Sequence, residues 1–485
     1  MNISQFFKLC VVAGVVFTIF TGITFMMSSS DSEQMKNQVK EVVKQFKVDK
    51  VVSDGNNDVF ESPKDSELQP QQPPPQSPRP LMDILKPQSR AQTQTKAADI
   101  TVKPEILRQL QEVKSSRTVS IQAFYYPWYD SPNYNNDSYL HWNHEYLPQW
   151  DKHDQHVYPT GHHIPPDDIG SWFYPKLGPY SSRDPVVIDQ HMKWMSSAGI
   201  DVAVVSWMPL SETSKGEYSW DSIVPLLLNA SEKYRMKLAF HLEPYKSRTP
   251  ETVRNDIIYL IETYGNHSAF YRTTPKNKTS NTGKELPMFY VYDSYLISKD
   301  DWYHVTNING SKTIRGTPYD SLLIGLHVIH EHRFDLQQAG FDGLYTYFAS
   351  EGFSHGSTMS NWPGLSTFCA KNAMLFIPSV GPGYIDTRVR AWNGKNTKER
   401  DNGNYYREHF KMAHTAKADI VSITSFNEWH EGTQIEPAVA HNDNNSTYLE
   451  YDKSADEYLE ITLQMVKEYF TPHHENIPMQ IANVV

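Results

Sequence analysis

The chain has 485 residues, of which 39% are hydrophobic and 21% charged, so it can bury one large core or two modest ones. The formal net charge is −11 and there is no dense basic run, which gives no reason to expect nucleic-acid binding. Only two cysteines occur, Cys10 and Cys369, so no intrachain disulfide can form in the part of the chain that follows residue 27.

The N-terminal region contains an uncharged apolar run at residues 9–27, LCVVAGVVFTIFTGITFMM. As a helix it would span roughly 28 Å, enough to cross a bilayer. A cleaved signal peptide is the competing interpretation, but its apolar part usually has about 7–15 residues. We therefore predict a signal-anchor transmembrane helix at 9–27 after a short cytoplasmic tail at 1–8. Lysines lie on both sides of the helix, so they do not decide its orientation.

Residues 28–116 are polar and include the Pro- and Gln-rich segment LQPQQPPPQSPRP at 68–80. Such a segment cannot bury enough apolar surface to offset the entropy of ordering it, so we predict a flexible, disordered stem. Downstream of the helix, seven Asn-X-Ser/Thr triplets permit glycosylation of a luminal domain. They begin at Asn136, Asn229, Asn266, Asn277, Asn309, Asn444 and Asn445.

Short apolar runs recur along residues 117–485, and helix-like segments such as 184–199 and 249–265 lie between most of them. Their near-continuous hydrophobicity is typical of parallel strands that are covered on both faces. The eight runs are 119–129, 199–208, 236–245, 286–295, 320–328, 341–349, 373–384 and 418–429. This alternation predicts an α/β protein with a (β/α)8 TIM-type barrel. A doubly wound sheet is the alternative, but no glycine-rich phosphate turn follows the first strand.

Polar and aromatic residues are concentrated where the predicted strands end, which is where such barrels place their active sites. Aromatic faces can bind the apolar side of a sugar ring, and carboxylates and amides can bind its hydroxyls. The predicted substrate-binding residues are Tyr126, Trp128, Trp207, His241, Glu243, Tyr245, Tyr290, Tyr292, Asp293, Tyr347, Asn427, Trp429 and His430.

The eighth strand is followed by FNEWHEG, in which Glu428 and Glu431 are three residues apart. A pair of carboxyl groups supplies the acid and the base that glycosidic cleavage needs. The Glu-X-X-Glu pattern also occurs in surface salt bridges, so its position at a strand end is what favours catalysis. The histidine-rich segments 141–144 and 162–163 lack the H-x-x-x-H spacing of hydrolytic zinc sites, and we predict neither a metal nor another cofactor.

Two other functions remain open at this point. An N-terminal anchor, a Pro-rich stem and a luminal domain are also the layout of many Golgi glycosyltransferases. Those that bind a nucleotide sugar through a metal usually have an Asp-X-Asp triplet after a strand, and no such triplet occurs here. A lectin-like binding module would need no catalytic acid.

Long strings of the predicted barrel resemble the glycoprotein endo-alpha-1,2-mannosidase family, which includes an endomannosidase-like paralogue. The resemblance covers about residues 118–450 in the same order. The strings are DDIGSWFYPKLGPYSSRDP (167–185), FHLEPY (240–245), YGNHSAFYR (264–272), MFYVYDSY (288–295), FDGLYTYFA (341–349), PSVGPGYIDT (378–387) and SITSFNEWHEGTQIE (422–436).

The resemblance implies a single-pass type II Golgi membrane protein with a luminal barrel. It also implies hydrolysis inside a glucosylated high-mannose N-glycan on a glycoprotein, releasing glucose attached to one mannose, with retention and without a metal or an obligate protein partner. Glu428 would deprotonate the sugar's 2-hydroxyl, which displaces the leaving group through an anhydro sugar, and Glu431 would be the acid. The residues alone do not decide which glutamate has which role, and direct attack by Glu428 is the alternative.

The chain departs from the family pattern at two positions. Ser268 and Ala391 stand where we expect proline, and Ser268 creates the glycosylation triplet at Asn266. Neither position belongs to the glutamate motif.

Overall fold

The computed structural model describes residues 117, 119–135, 138–149, 157–209, 219–276, 284–442 and 447–471. The predicted tail, anchor helix and stem lie outside these ranges, as do Asn136, Asn277, Asn444 and Asn445. Within the described ranges, no helix combines the length and the apolar character needed to cross a membrane.

Eight parallel strands form the centre of the part of the chain that the structure describes, and each of them comes from one of the eight predicted apolar runs. The strands are β1 (Ser120–Tyr125), β2 (Val202–Trp207), β3 (Lys237–Leu242), β4 (Leu286–Val291), β5 (Leu322–Leu326), β6 (Gly343–Tyr345), β7 (Leu375–Ile377) and β8 (Ile420–Ile423). Beyond Pro378, which lacks an amide hydrogen, β7 continues as Ser379–Val380 and pairs with β8. Since β8 also pairs with β1, the sheet closes into a barrel.

Each strand is followed by an α-helix in the described chain, so the (β/α)8 prediction is confirmed. The helices are α1 (Pro185–Ser197), α2 (Val224–Lys233), α3 (Pro250–Tyr264), α4 (Lys299–Thr306), α5 (His332–Ala339), α6 (Trp362–Lys371), α7 (Asn404–Thr415) and α8 (Glu457–Phe470). The predicted helical segments 184–199 and 249–265 become α1 and α3. Both begin with proline after a side-chain cap, Asp184 for α1 and Thr249 for α3.

Two short pairings lie outside the barrel. Tyr174–Pro175, in the long loop after β1, pairs antiparallel with Ala438–Val439, in the loop after β8. Arg272–Thr273 pairs antiparallel with the start of β4. The pairing of Tyr174–Pro175 with Ala438–Val439 joins the loop after β1 to the loop after β8 at the rim of the barrel.

Aromatic rings fill the interior of the barrel in layers. Phe124 of β1 lies 4.7 Å from the His241 ring, 5.4 Å from Tyr290 and 5.8 Å from Tyr345, measured between ring centroids. Because successive side chains of a strand alternate between its two faces, residues two positions farther along also face inward. These next inward-facing residues lie at the rim, at the C-terminal ends of the strands.

Candidate active site

The two glutamates lie on one tight turn after β8. Glu428 caps a short 3-10 helix, Trp429–Glu431, and its Oε1 accepts the main-chain N–H of His430 at 3.1 Å. Gly432 ends the turn with φ +61°, and a Cβ there would lie 2.8 Å from the Ile385 carbonyl oxygen, so glycine is required. The turn thus places both carboxyl groups at the C-terminal rim.

Removal from water changes the acidity of both glutamates. The side chain of Glu428 is 5% exposed and that of Glu431 is 26% exposed. Burial raises the pKa of Glu431 to about 7. Burial, and then the negative charge of Glu431, raise the pKa of Glu428 well above its usual range. Near neutral pH the pair therefore has a bound proton to donate, which an acid–base mechanism requires.

Three tyrosines lie near the glutamates, of which Tyr126 and Tyr347 are buried and Tyr292 is half-buried. The Tyr126 and Tyr347 hydroxyls are hydrogen-bonded to each other. Tyr292 packs against Tyr347 with ring centroids 4.9 Å apart. Burial is the largest cause that raises the pKa of all three phenols, and the charge of Glu431 adds to it. The phenols therefore stay neutral and can donate hydrogen bonds.

A second acidic position lies at the end of β3. Glu243 Oε1 accepts a hydrogen bond from Ser206 Oγ at 2.8 Å and lies 3.2 Å from His241 Nδ1. The other nitrogen of His241 lies 2.7 Å from the Tyr345 hydroxyl. After β4, Asp293 adopts φ +49°, and burial raises the pKa of its carboxyl group. The ends of strands β3 and β4 therefore place two further carboxyl groups at the rim.

An aromatic wall adjoins the glutamates. The half-buried Trp128 stacks on His141 with centroids 5.1 Å apart, and lies 4.7 Å from Tyr126 and 6.2 Å from His430. Burial lowers the pKa of His141 to about 3 and that of His430 well below its usual value, so both imidazoles are neutral. Among the residues that the structure describes, no group of His, Cys, Asp or Glu is arranged to hold a metal ion.

Three of the predicted substrate-binding residues form hydrogen bonds away from the glutamate turn. Trp207 follows the inward-facing Ser206 and therefore points out of the barrel, where its indole donates to Asp221 at 3.0 Å. Tyr290 is fully buried inside the barrel and donates to Gln122. The Tyr245 hydroxyl donates to Thr252 and Asp256 of α3. The predictions for Trp207 and Tyr290 need correction, because both side chains are buried and support the fold, and the half-buried Tyr245 stays a prediction.

Asn427 and Trp429 are also completely buried. The Asn427 amide accepts the N–H of Tyr126 at 2.7 Å and donates to its carbonyl at 2.9 Å. The Trp429 indole donates to Glu436 at 3.1 Å. The prediction that Asn427 and Trp429 contact substrate needs the same correction, because both side chains hold the main chain around Glu428.

The predicted substrate-binding residues include none from the end of the seventh strand, yet the loop after β7 lies against Glu431. The Ile385 N–H donates to the Glu431 carbonyl at 2.8 Å. Arg390 Nη1 lies 3.9 Å from Glu431 Oε1 and 3.2 Å from Asp386 Oδ2, which also accepts the Tyr384 hydroxyl at 2.9 Å. The polar string GPGYIDT at the end of an apolar run was the available signal.

Comparisons with known proteins agree with this geometry. The profile of glycosyl hydrolase family 99 matches residues 117–471. Glycoprotein endo-alpha-1,2-mannosidase of Rattus norvegicus is 46% identical over 376 residues, which cover 77% of this chain and 80% of that protein. Glycoprotein endo-alpha-1,2-mannosidase-like protein of Homo sapiens is 49% identical over 359 residues, which cover 74% of this chain and 77% of that protein.

A solved structure is similar as well. The GH99 endo-alpha-mannosidase of Bacteroides thetaiotaomicron has a TM-score of 0.65 and 41% identity, covering 72% of this chain and 97% of that one. The family profile extends over the whole described barrel and its rim, including the FNEWHEG turn. The chain belongs to glycosyl hydrolase family 99 and is an endo-acting glycoside hydrolase.

Proposed function

We propose that the chain cleaves the internal alpha-1,2-mannosidic bond of glucosylated high-mannose N-glycans and releases glucosyl-mannose. The observation that carries the proposal is the glutamate pair on one turn at the rim, in which Glu428 is buried, Glu431 is half-buried and the pKa of Glu431 is raised to about 7. The names of the relatives support the alpha-1,2-mannosidic linkage, and the resemblance of the motifs supports the glucosylated arm.

The first chemical step in this proposal is displacement by the sugar's own 2-hydroxyl. Glu428 takes the proton of the 2-hydroxyl, and the 2-oxygen of the sugar then attacks the anomeric carbon. Glu431 protonates the departing glycosidic oxygen. Burial raises the pKa of Glu428. The His430 N–H at 3.1 Å acts against that rise, and the repulsion from Glu431 is absent while Glu431 holds its proton.

The second step reverses the proton transfers. Glu431 now takes a proton from water, which attacks the anomeric carbon and opens the anhydro sugar, while Glu428 returns a proton to the 2-oxygen. Two inversions at one carbon give net retention. A 2-deoxy-2-fluoro mannoside separates this route from direct attack by Glu428. Direct attack leaves a covalent sugar adduct in the intact mass, and participation of the 2-hydroxyl leaves none.

The experiment that tests the substrate uses the full chain in detergent and a glucosylated high-mannose oligosaccharide, with products separated by mass. The wild type is expected to release a glucosyl-mannose disaccharide, and the Glu431→Gln variant is expected to release none. An oligosaccharide that stays intact with the wild type but binds to it would contradict the proposal and favour a lectin-like function.

We place this activity in the Golgi lumen, on a single-pass type II membrane protein. The apolar run at 9–27 supports an anchor, and the exposed positions of Asn229, Asn266 and Asn309 are compatible with luminal glycosylation. Protease treatment of sealed Golgi vesicles should leave residues 117–471 intact until detergent is added. Digestion without detergent would reject this orientation.

A further inference from the structure

Glu436 is a fully buried carboxylate that the proposed chemistry does not use. Its Oε2 accepts hydrogen bonds from the Tyr180 hydroxyl at 2.8 Å and from the Trp429 indole at 3.1 Å. Its Oε1 lies 3.1 Å from His191 Nε2. All three partners are buried as well. A carboxylate inside a protein requires such a set of donors, and removing one partner leaves the others unsatisfied.

His191 extends the hydrogen-bonded chain to the outside of the barrel. It belongs to α1, and its Nδ1 lies 3.0 Å from the hydroxyl of Tyr125 on β1. If the Tyr125 hydroxyl donates to Nδ1, the hydrogen of the imidazole ring is on Nε2, which donates to Glu436. The carboxylate is therefore held in place by β1, α1 and the loop after β1, which supplies Tyr180.

On its other side, the network reaches the residues immediately before and after Glu428. Trp429 donates its indole N–H to Glu436, and its main-chain N–H donates to the Tyr129 hydroxyl at 3.1 Å. Asn427 Nδ2 lies 3.3 Å from the Tyr180 hydroxyl, which itself donates to Glu436. The two neighbours of Glu428 are thus both connected to Glu436 by at most one intervening side chain.

We propose that Glu436 is a positioning residue for hydrolysis, which holds the turn of Glu428 and Glu431 in its reactive geometry through the indole of Trp429. A 3-10 helix of three residues has weak internal hydrogen bonds, so the turn depends on contacts from outside. A displacement of about 1 Å at a catalytic group can reduce the rate by about 10²-fold. The inference rests on the proposed function for its kinetic assay.

The kinetic test is Glu436→Gln, a change that preserves size and presents an amide N–H₂ to donors. We expect kcat on the glucosylated oligosaccharide to fall about 10²-fold, because the turn loses its anchor. We expect KM to change by less than about threefold, because no substrate-binding side chain is altered. A wild-type kcat in the folded variant would overturn the proposal.

Asp342→Asn is the matched control. Asp342 accepts the Leu323 N–H at 2.8 Å and pairs with Arg315 at 2.7 Å, and it immediately precedes β6, at the other end of the barrel. Loss of this carboxylate should lower Tm and leave kcat and KM unchanged. If Asp342→Asn reduces kcat as much as Glu436→Gln does, the effect of Glu436 is general destabilisation and the proposal fails.

Trp429→Phe tests the route by which Glu436 acts. It removes the indole donor and keeps the carboxylate, so kcat should again fall, and the double variant should lose less than the product of the two single effects. If Glu436→Gln does not fold, Trp429→Phe decides alone. A normal kcat would then reject the route through the indole.

A measurement without substrate separates this inference from the proposed function. In the full-length protein, Glu436→Gln should increase amide hydrogen exchange at residues 428–432, and Asp342→Asn should not. If the wild type fails to cleave the oligosaccharide but this exchange pattern is found, only the proposed substrate is wrong. Unchanged exchange in the turn would overturn the positioning proposal whatever the substrate is.

Discussion

The two ends of the barrel use the same residue types differently. At the N-terminal end, Asp201, Asp342 and Asp419 each stand immediately before a strand and accept a main-chain N–H from a neighbouring strand at 2.8 Å. Each also pairs with a cation, at 2.5 Å for Arg117, 2.7 Å for Arg315 and 2.6 Å for Lys276. At the C-terminal rim, the Arg390 guanidinium lies 3.9 Å from Glu431.

The two ends differ in the distance between each carboxylate and its nearest cation. A guanidinium or ammonium group in hydrogen-bond contact stabilises the charged form and commits the carboxylate to structure. Burial raises the pKa of Asp342 as well, against the opposing effect of Arg315. At the rim Arg390 is more distant, and burial raises the pKa of Glu431 to about 7, so its proton becomes available. We therefore expect the carboxylates at the N-terminal end to serve stability and those at the rim to serve proton transfer.

The largest expected effect comes from removing the rim carboxyl groups. Glu428→Gln and Glu431→Gln should each reduce kcat by roughly 10²–10⁴-fold, because each removes a general acid or base. Binding should persist, since the neutral amides keep the same shape. Steady-state kinetics and calorimetric titration with the oligosaccharide would measure both quantities. A near-normal kcat in either variant would remove that residue from the mechanism.

At the opposite end, Asp201→Asn should affect stability and leave catalysis unchanged. The Arg117 side chain is 1% exposed, so losing its partner should cost about 2–4 kcal/mol in the free energy of unfolding. Urea denaturation would measure this loss, with kcat determined on the folded fraction. A large loss of kcat without loss of stability would contradict the division between the two ends.

A smaller effect concerns the pH dependence of stability. The pKa of Glu431 is about 7 in the folded state and about 4.5 in the unfolded state, so the folded state binds the proton more tightly. The contribution of this proton to the free energy of unfolding is complete below pH 4.5 and is lost as the pH rises through 7. Glu431→Gln should therefore be more stable than the wild type at pH 8, by about 1–3 kcal/mol, and should lose this advantage near pH 4.5. Thermal unfolding of both proteins at pH 8 and pH 4.5 would measure their difference in stability. An equal difference at the two pH values would contradict the prediction.

The smallest effect is expected from the predicted glycan at Asn266. This residue is exposed just beyond the end of α3, far along the chain from the rim turn. Asn266→Gln should reduce the mass of the protein expressed in a glycosylating cell by one glycan and leave kcat unchanged. An identical mass for the two proteins after expression in a glycosylating cell would show that the position is unmodified.

Sequence reasoning predicted the barrel strands and the glutamate turn because both have local signals. Continuous apolar runs indicate strands, and strand ends in such a barrel indicate the site. The same continuity explains the errors at Trp207 and Tyr290. In a strand that is buried on both faces, hydrophobicity does not reveal which side chains face the barrel interior.

The sequence by itself determined the order of strands and helices, the position of Glu428 and Glu431 at a strand end, and the family. Only the tertiary structure decided how acidic these two groups are and what holds them. The pKa values depend on burial by loops distant in sequence, such as the β7 loop that binds the Glu431 carbonyl through Ile385. The link from His191 through Glu436 to Trp429 likewise joins residues hundreds of positions apart, because hydrogen bonding acts through space and leaves no local pattern along the chain.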